Sequence, residues 1–282
     1  MEITKKKKSR IFINFNENQK QILLGSLLGD GSISHKINSN FYKYSEKHST
    51  KQNNYILWKN SILNFNLYNY KDNSYSIEKG NKALKKYYNL FYPNGKKIVT
   101  RGILNNLEPL GLAIWFMDDG SYIYSLKDII LSTHSFGLGG NQIIQQWFKD
   151  KFDINCKIDK INKGVSYIKG RKIESKDIHY VIRMNNEDTK RFIEIVKPHI
   201  IPEMKYKLGM DEKRREETRI RLKKYSKEYS LKNKGMIKEK NNNYYQKNKE
   251  RIKINTKRYA EMDKDRTREY KRKWYHQHKL TI

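Results

Sequence analysis

The chain has 282 residues and carries 60 Lys+Arg against 30 Asp+Glu, a formal charge of +30 that makes a polyanionic partner the first expectation. At 37% hydrophobic and 12% aromatic it is too apolar to be a disordered basic tail throughout. No run nears the roughly 18 apolar residues of a spanning helix, so a membrane partner is set aside in favour of nucleic acid.

Residues 1–14 read as a basic N-terminal arm, without the apolar stretch of a signal peptide. A first apolar helix is predicted over Ile22-Leu23-Leu24-Gly25-Ser26-Leu27-Leu28, closing at Gly29-Asp30-Gly31-Ser32. Gly25 and Gly29 are four apart and share a face on which a second helix can approach closely; Gly31 is placed as a left-handed cap. A strand around Tyr42-Lys43-Tyr44, the pair His48-Ser49, an amphipathic helix around Tyr55-Ile56-Leu57-Trp58-Lys59 and an alternating strand over Ser74–Lys79 follow. The block Phe91-Tyr92-Pro93-Asn94-Gly95-Lys96-Lys97 closes this half.

From Leu110 the same order returns. Leu110-Gly111-Leu112-Ala113-Ile114-Trp115-Phe116-Met117-Asp118-Asp119-Gly120-Ser121 matches the first apolar run, with Ala113 on the face equivalent to Gly25 and Gly120 as the matching cap. Ile129-Ile130-Leu131, then His134-Ser135, then a helix around Ile143–Lys149 with Trp147 follow, and later the strand-like Tyr167-Ile168-Lys169 and His179-Tyr180-Val181-Ile182-Arg183. The second half closes over Lys197-Pro198-His199 to Lys207-Leu208. Two tandem copies of one mixed αβ unit are implied, with repeats over 15–107 and 108–209. The lone Cys156 excludes a disulfide framework and a cysteine zinc site, and fits a reducing, intracellular compartment. After Gly209, 25 Lys/Arg and 11 Asp/Glu are interleaved with isolated Tyr and almost no branched aliphatic residue recurs at core spacing. Residues 210–282 therefore read as a basic, partly helical extension that orders on nucleic acid; the competing reading is a solvated low-complexity tail.

If the two apolar helices pack side by side about a pseudo-twofold axis, Asp30 and Asp119 meet at the bottom of the pair. Two like charges at one place call for a cation between them, and a hard divalent ion such as Mg²⁺ with phosphate oxygens is the natural one.

These residues carry a family resemblance. Leu23 to Gly31 and Leu112 to Gly120 resemble the two signature copies of the LAGLIDADG homing endonucleases, and Trp115-Phe116-Met117-Asp118-Asp119-Gly120 is similar to the second copy of the single-chain mitochondrial group I intron enzymes. Leu131–Phe136, Phe152–Cys156 and Lys197–Leu208 extend the likeness over nearly all of 15–208. The resemblance implies an α+β fold: two pseudo-symmetric αββαββα repeats whose four-stranded sheets form a saddle over DNA, followed here by the basic extension. It implies Mg²⁺ on the last acid of each signature, Asp30 and Asp119, with the backbone carbonyls of Gly29 and Asp118 as further ligands. There are departures: Leu28 replaces the first acid of the family pattern, Leu24 replaces a small residue, and Ile114 and Asp118 stand where small residues are common.

A basic residue is expected near each cleaved phosphate, and the repeat logic nominates Lys97 and Lys207, with Lys96 in reserve. On the sheets, Lys43, Lys79, Lys169 and Arg183 are expected to contact DNA. His48 and His134 lack a neighbouring carboxylate or second His in sequence and are read as turn-stabilising or DNA-contacting residues rather than metal ligands.

The expected activity is a Mg²⁺-dependent double-strand break at an intron insertion site in double-stranded DNA, made by a monomer. The alternative is an intron RNA maturase on the same fold, alone or as a second activity. A transcriptional regulator predicts damaged acids, which are intact here; a phosphate-cradling loop at Gly25–Gly31 lacks the following Lys-Ser/Thr. Resemblance and the Asn-, Lys-, Tyr- and Ile-rich composition point to an organelle-encoded mitochondrial protein, with a phage or bacterial cytoplasm as the alternative.

Overall fold

The computed structural model describes residues 15–35, 41–79, 81–168, 171–175 and 177–278. The basic arm at 1–14 and Lys169 lie outside the described residues, and of Lys79 only the backbone is described.

The first repeat runs α1 (Glu17–Leu28), β1 (Ser32–His35), β2 (Tyr42–Ser49), α2 (Asn53–Leu63), β3 (Asn66–Tyr70), β4 (Asn73–Lys79) and α3 (Ala83–Phe91). A short α4 (Arg101–Asn105) leads to the second: α5 (Pro109–Asp119), β5 (Gly120–Ile123), β6 (Asp128–Leu131), α6 (Gly137–Phe152), β7 (Cys156–Ile161), the hairpin β8 (Gly164–Ile168) and β9 (Arg171–Ser175), then β10 (His179–Met184) and α7 (Asn186–Val196). Both repeats build an antiparallel four-stranded sheet of the same order, β1-β2-β4-β3 and β5-β6-β10-β7. The αββαββα duplication is thus present, with β8–β9 inserted as a separate hairpin. The Tyr167 segment belongs to that insertion rather than to a four-stranded sheet.

Helices α1 and α5 are apolar around most of their circumference because they form the centre of a single core shared by both repeats. Asn16 caps α1 by accepting from Gln19 N at 2.9 Å, while the Gln19 side chain accepts from Asn16 N at 3.0 Å. Gln21 ties the two helices at their other end, donating to Asn106 O at 3.0 Å and accepting from Glu108 N at 2.9 Å.

The helix crossing needs glycine. A Cβ on Gly25 would stand 2.3 Å from the Gly111 carbonyl oxygen and 2.6 Å from Ile114 Cβ; one on Gly29 would stand 2.5 Å from Asp118 Cβ. The nearest neighbours of Gly25 are therefore Gly111 and Ile114, where Ala113 was expected. The caps also differ from expectation. Gly31 has no positive φ; its N–H donates to Ser26 O at 2.6 Å, and a Cβ would lie 2.8 Å from that oxygen. Gly120 is extended, with φ −81° and ψ 150°, and starts β5 directly. Close approach, not handedness, requires these glycines.

The undersides of the two sheets are unlike. Beneath β6 and β10 lie Ile129, Leu131, Ile182 and Met184, packed with Trp147 and Phe148 of α6. Beneath β2 and β4, the inward positions include Glu46, His48, Ser74, Ser76 and Glu78, all buried. Polar residues of α2 meet them: Asn53 accepts from Ser74 Oγ at 2.8 Å and Asn60 from Ser76 Oγ at 3.1 Å.

Two 3-10 segments, Lys197–His199 and Pro202–Leu208, close the second repeat at Gly209, whose φ of 73° is left-handed. The helices α8 (Glu212–Lys232) and α9 (Lys234–His278) follow. By compactness the chain divides into two units, 1–218 and 219–282. Among the described residues, no helix is long and apolar enough to cross a membrane.

Candidate active site

The C-terminal ends of α1 and α5 lie together and gather most of the residues singled out in sequence. Asp30 follows α1 and is partly exposed; Asp118 and Asp119 end α5, and the Asp118 side chain is fully buried. The backbone N–H of Asp30 reaches Asp118 Oδ2 at 3.4 Å. Carboxylate oxygens of Asp30 and Asp118 and a ring nitrogen of His48 lie within 4.8 Å of one another.

The two nominated lysines occupy matching places. Lys97 Nζ donates to the carbonyls of Gly29 at 3.1 Å and Gly31 at 2.9 Å. Lys207 Nζ donates to the carbonyls of Met117 and, at 3.0 Å, Asp118. Each amine, Lys97 half-buried and Lys207 buried, caps the open carbonyl end of the helix that carries an acid, where the helix dipole favours a cation. Burial lowers the pKa of both amines, against the nearby carboxylates that raise it.

Three carboxylates at one helix junction repel. Burial, then the charges of Asp30 and Asp118, push Asp119 up to about 7. A divalent cation beside these oxygens would relieve that repulsion, and the donors at hand, carboxylates of Asp30 and Asp119 and carbonyls of Gly29 and Asp118, are the hard oxygens that Mg²⁺ takes. The residues fit the ion that the fold implies.

Sequence reasoning missed what lies behind Asp118. Lys59 of α2 is wholly buried and donates to Asp118 Oδ1 at 2.8 Å and Oδ2 at 3.1 Å, to Ser26 Oγ at 2.9 Å, and to Glu46 Oε1. Tyr55 OH donates to Asp118 Oδ1 at 2.7 Å, and Tyr44 OH to Glu46 Oε2 at 2.8 Å. His48 Nε2 meets Glu46 Oε1 at 2.7 Å. Burial opposes every charge here, yet the pairing prevails for three of them: Lys59 is raised by Asp118 and Glu46, Glu46 is lowered to about 2 by Lys59 and His48, and His48 is raised by its bond to Glu46. For Asp118 burial outweighs Lys59 and raises the carboxyl. With His48 protonated, two cations balance two anions.

This corrects the reading of His48. It has carboxylate neighbours that only the fold supplies, and it is buried and bonded to Glu46 rather than presented to DNA. His134 packs edge-on against His179 at 5.6 Å instead. The signal for Lys59 was a cation on the apolar side of the Tyr55–Leu63 helix.

Of the residues expected on the sheets, Lys43 lies on the outward side of β2 and pairs in register with Lys79 of β4. Arg183 is held by carboxylates of its own sheet, Asp159 at 2.9 Å and Asp128 at 3.9 Å, so its charge is largely spent within the protein.

The profile of the LAGLIDADG DNA endonuclease family matches residues 20–192. The chain belongs to that family. Among LAGLIDADG relatives, it is 37% identical over 133 residues to the probable intron-encoded endonuclease 1 of Wickerhamomyces canadensis, covering 45% of this chain and 51% of that one. It is 27% identical over 216 residues to the cytochrome b mRNA maturase bI2 of Saccharomyces cerevisiae, covering 69% and 48%. The homing endonuclease I-WcaI bound to its DNA recognition sequence has a similar structure, with a TM-score of 0.55, 26% identity and coverage of 70% of this chain and 88% of that one. The chain spans about half the length of the curated relatives it matches. The matched span contains both α1 and α5, with Asp30 just after α1 and Asp119 at the end of α5.

Proposed function

We propose that this protein is a site-specific DNA endonuclease that makes a Mg²⁺-dependent double-strand break in duplex DNA at an intron insertion site, initiating intron homing. The observation that carries the reading is the matched pair of helix ends, each with an acid and each capped by a lysine, Asp30 with half-buried Lys97 and Asp119 with buried Lys207. One such set per strand is what a double-strand cut by a single chain requires.

In this reading Asp30 and Asp119, with the carbonyls of Gly29 and Asp118, hold Mg²⁺, which when bound supplies charge neutralisation at the phosphate and a more acidic water. Lys97 and Lys207 stand beside these ligands. Their burial-lowered pKa lets each polarise a water or offer a proton near a scissile phosphate. Lys43, on the outward side of β2, contacts the DNA backbone, and Lys79, its register partner on β4, is proposed for the same role. Intron-encoded relatives support an organelle-encoded, mitochondrial protein.

The test is incubation with supercoiled DNA carrying the uninterrupted flanks of its own gene, with Mg²⁺ or with EDTA. One Mg²⁺-dependent double-strand cut at the junction is expected, lost in Asp30→Asn and in Asp119→Asn while binding persists. Full cutting by either variant would overturn the metal assignment. The likeness to a maturase favours a second reading, assistance of intron RNA splicing. Tight binding to the intron RNA with no cut in DNA would select it.

A further inference from the structure

Beyond Thr218 the extension repeats itself every 15 residues, with aromatic rings at Tyr229, Tyr244, Tyr259 and Trp274. Within each unit the same chemistry recurs: an amide or acid four residues on (Asn233, Asn248, Asp263), and an Ile eight residues on in the first two (Ile237, Ile252). Cations stand five and nine residues on, as in Lys234 with Lys238, Lys249 with Lys253, and Lys264 with Arg268.

The helical structure keeps this period. Asn233 Nδ2 donates to Tyr229 O at 2.9 Å, and one repeat later Asn248 Nδ2 donates to Tyr244 O at 2.8 Å. Ile237 and Ile252 are half-buried at the same place in successive units, while the four aromatics are 45–69% exposed. Fifteen residues rise about 22 Å and overshoot four turns by about 60°, so from Tyr229 to Tyr259 rings and aliphatics, alternately eight and seven apart, form one row that winds slowly around the helix, with Trp274 one period further on. The paired cations fall one turn apart along one flank of that row.

We infer that this row is a built contact line for duplex DNA flanking the cleavage site, one module per repeat, an inference that rests on the nuclease reading above. Charge selects the occupant. Helix α9 carries 15 Lys/Arg against 6 Asp/Glu, which repels a second copy of itself. Its apolar row is one residue wide and interrupted by Asn and Asp, too narrow for a membrane surface. Rings about 22 Å apart cannot stack successive bases of a single strand, as single-strand binders do. A duplex offers a regular phosphate backbone, to which Lys and Arg donate and a Tyr hydroxyl can add a hydrogen bond.

The experiment measures binding of the full chain to a 40-bp duplex of arbitrary sequence and to single-stranded RNA of equal length, in EDTA, over a range of KCl. Three variants are compared: in-phase excision of 244–258, the triple substitution Tyr229→Ala, Tyr244→Ala, Tyr259→Ala, and an arm with residues 229–273 in scrambled order. Excision removes six cations and one carboxylate, and should weaken duplex binding about tenfold with a shallower salt slope. The Tyr variant, which retains all cations and strong helix formers, should lose about fivefold with the slope unchanged, and the scrambled arm should lose a similar factor. Native affinity in both the Tyr variant and the scrambled arm, or an effect on RNA without one on duplex, would overturn the proposal. Cutting of the gene's own flanks is assayed in parallel. A chain that cuts while its arm variants bind normally loses only this inference; a chain that neither cuts nor binds duplex loses the nuclease reading as well.

Discussion

Lys59 of the first repeat donates to both carboxylate oxygens of Asp118 of the second, at 2.8 and 3.1 Å, with neither side chain exposed to solvent. The pair joins the two repeats beneath Asp30. Gly29 and Asp118 precede the two signature acids, and only one of them has room for a side chain, since Cβ atoms at both would lie 2.5 Å apart. The pseudo-symmetry is therefore broken at the place where the acids meet.

Removing the amine should leave Glu46 and Asp118 buried without their common cation. Lys59→Met is expected to cost about 3–5 kcal/mol of folding stability, measured by urea denaturation. Combining it with Glu46→Gln and Asp118→Asn should recover much of the loss. A single variant as stable as the parent would show that the network carries no net charge pairing.

Asp119 titrates at about 7 in the metal-free protein, above its ordinary value of 3.8. Between those values the folded state holds a proton that the unfolded state has released, so stability should fall as pH rises from about 4 to about 7, by up to about 1.4 kcal/mol per unit. Asp119→Asn should flatten this part of the profile in EDTA. Mg²⁺ affinity should rise over the same window, because binding needs the ionised carboxylate.

Lys97→Met and Lys207→Met should each slow cutting of one strand by about 10²- to 10⁴-fold while the other strand is still nicked, read on duplexes labelled on each strand. Duplex affinity should change little, since both amines donate to helix-end carbonyls. Equal slowing of both strands would assign the lysines to the fold rather than to chemistry.

Gly25→Ala places a methyl 2.3 Å from a backbone oxygen that no side-chain rotation can move. The helices must separate, at a cost of about 1–3 kcal/mol, seen as a lowered melting temperature. Cutting should fall although Asp30 and Asp119 are untouched.

The duplication was legible in the sequence because each half carries the same order of apolar run, strand, His-Ser and Trp helix, and the structure returns it as two sheets of identical strand order. The four glycines and acids at the helix junction were legible for the same reason, as were Lys97 and Lys207, which close equivalent blocks. Tyr167-Ile168-Lys169 was read as a strand with no hairpin partner of its own, because alternation specifies a strand but not its partner. Arg183 was expected to contact DNA; its pairing with Asp128 and Asp159 was not legible, because they reach it only across neighbouring strands.

Periodicity and repetition are local properties of a chain, and they determined the two αββαββα units, the close helix pair and the acids at its end. The 15-residue period of the extension is of the same kind. The environment at that junction is set by contacts such as Lys59, Tyr55, Asp30 and Lys207 to Asp118, 59 to 89 positions apart, and only the tertiary structure decided it. Lys59, Glu46 and His48 are ordinary polar residues until α2 and β2 are folded against α5; burial then removes water as their partner and leaves them to one another and to Asp118.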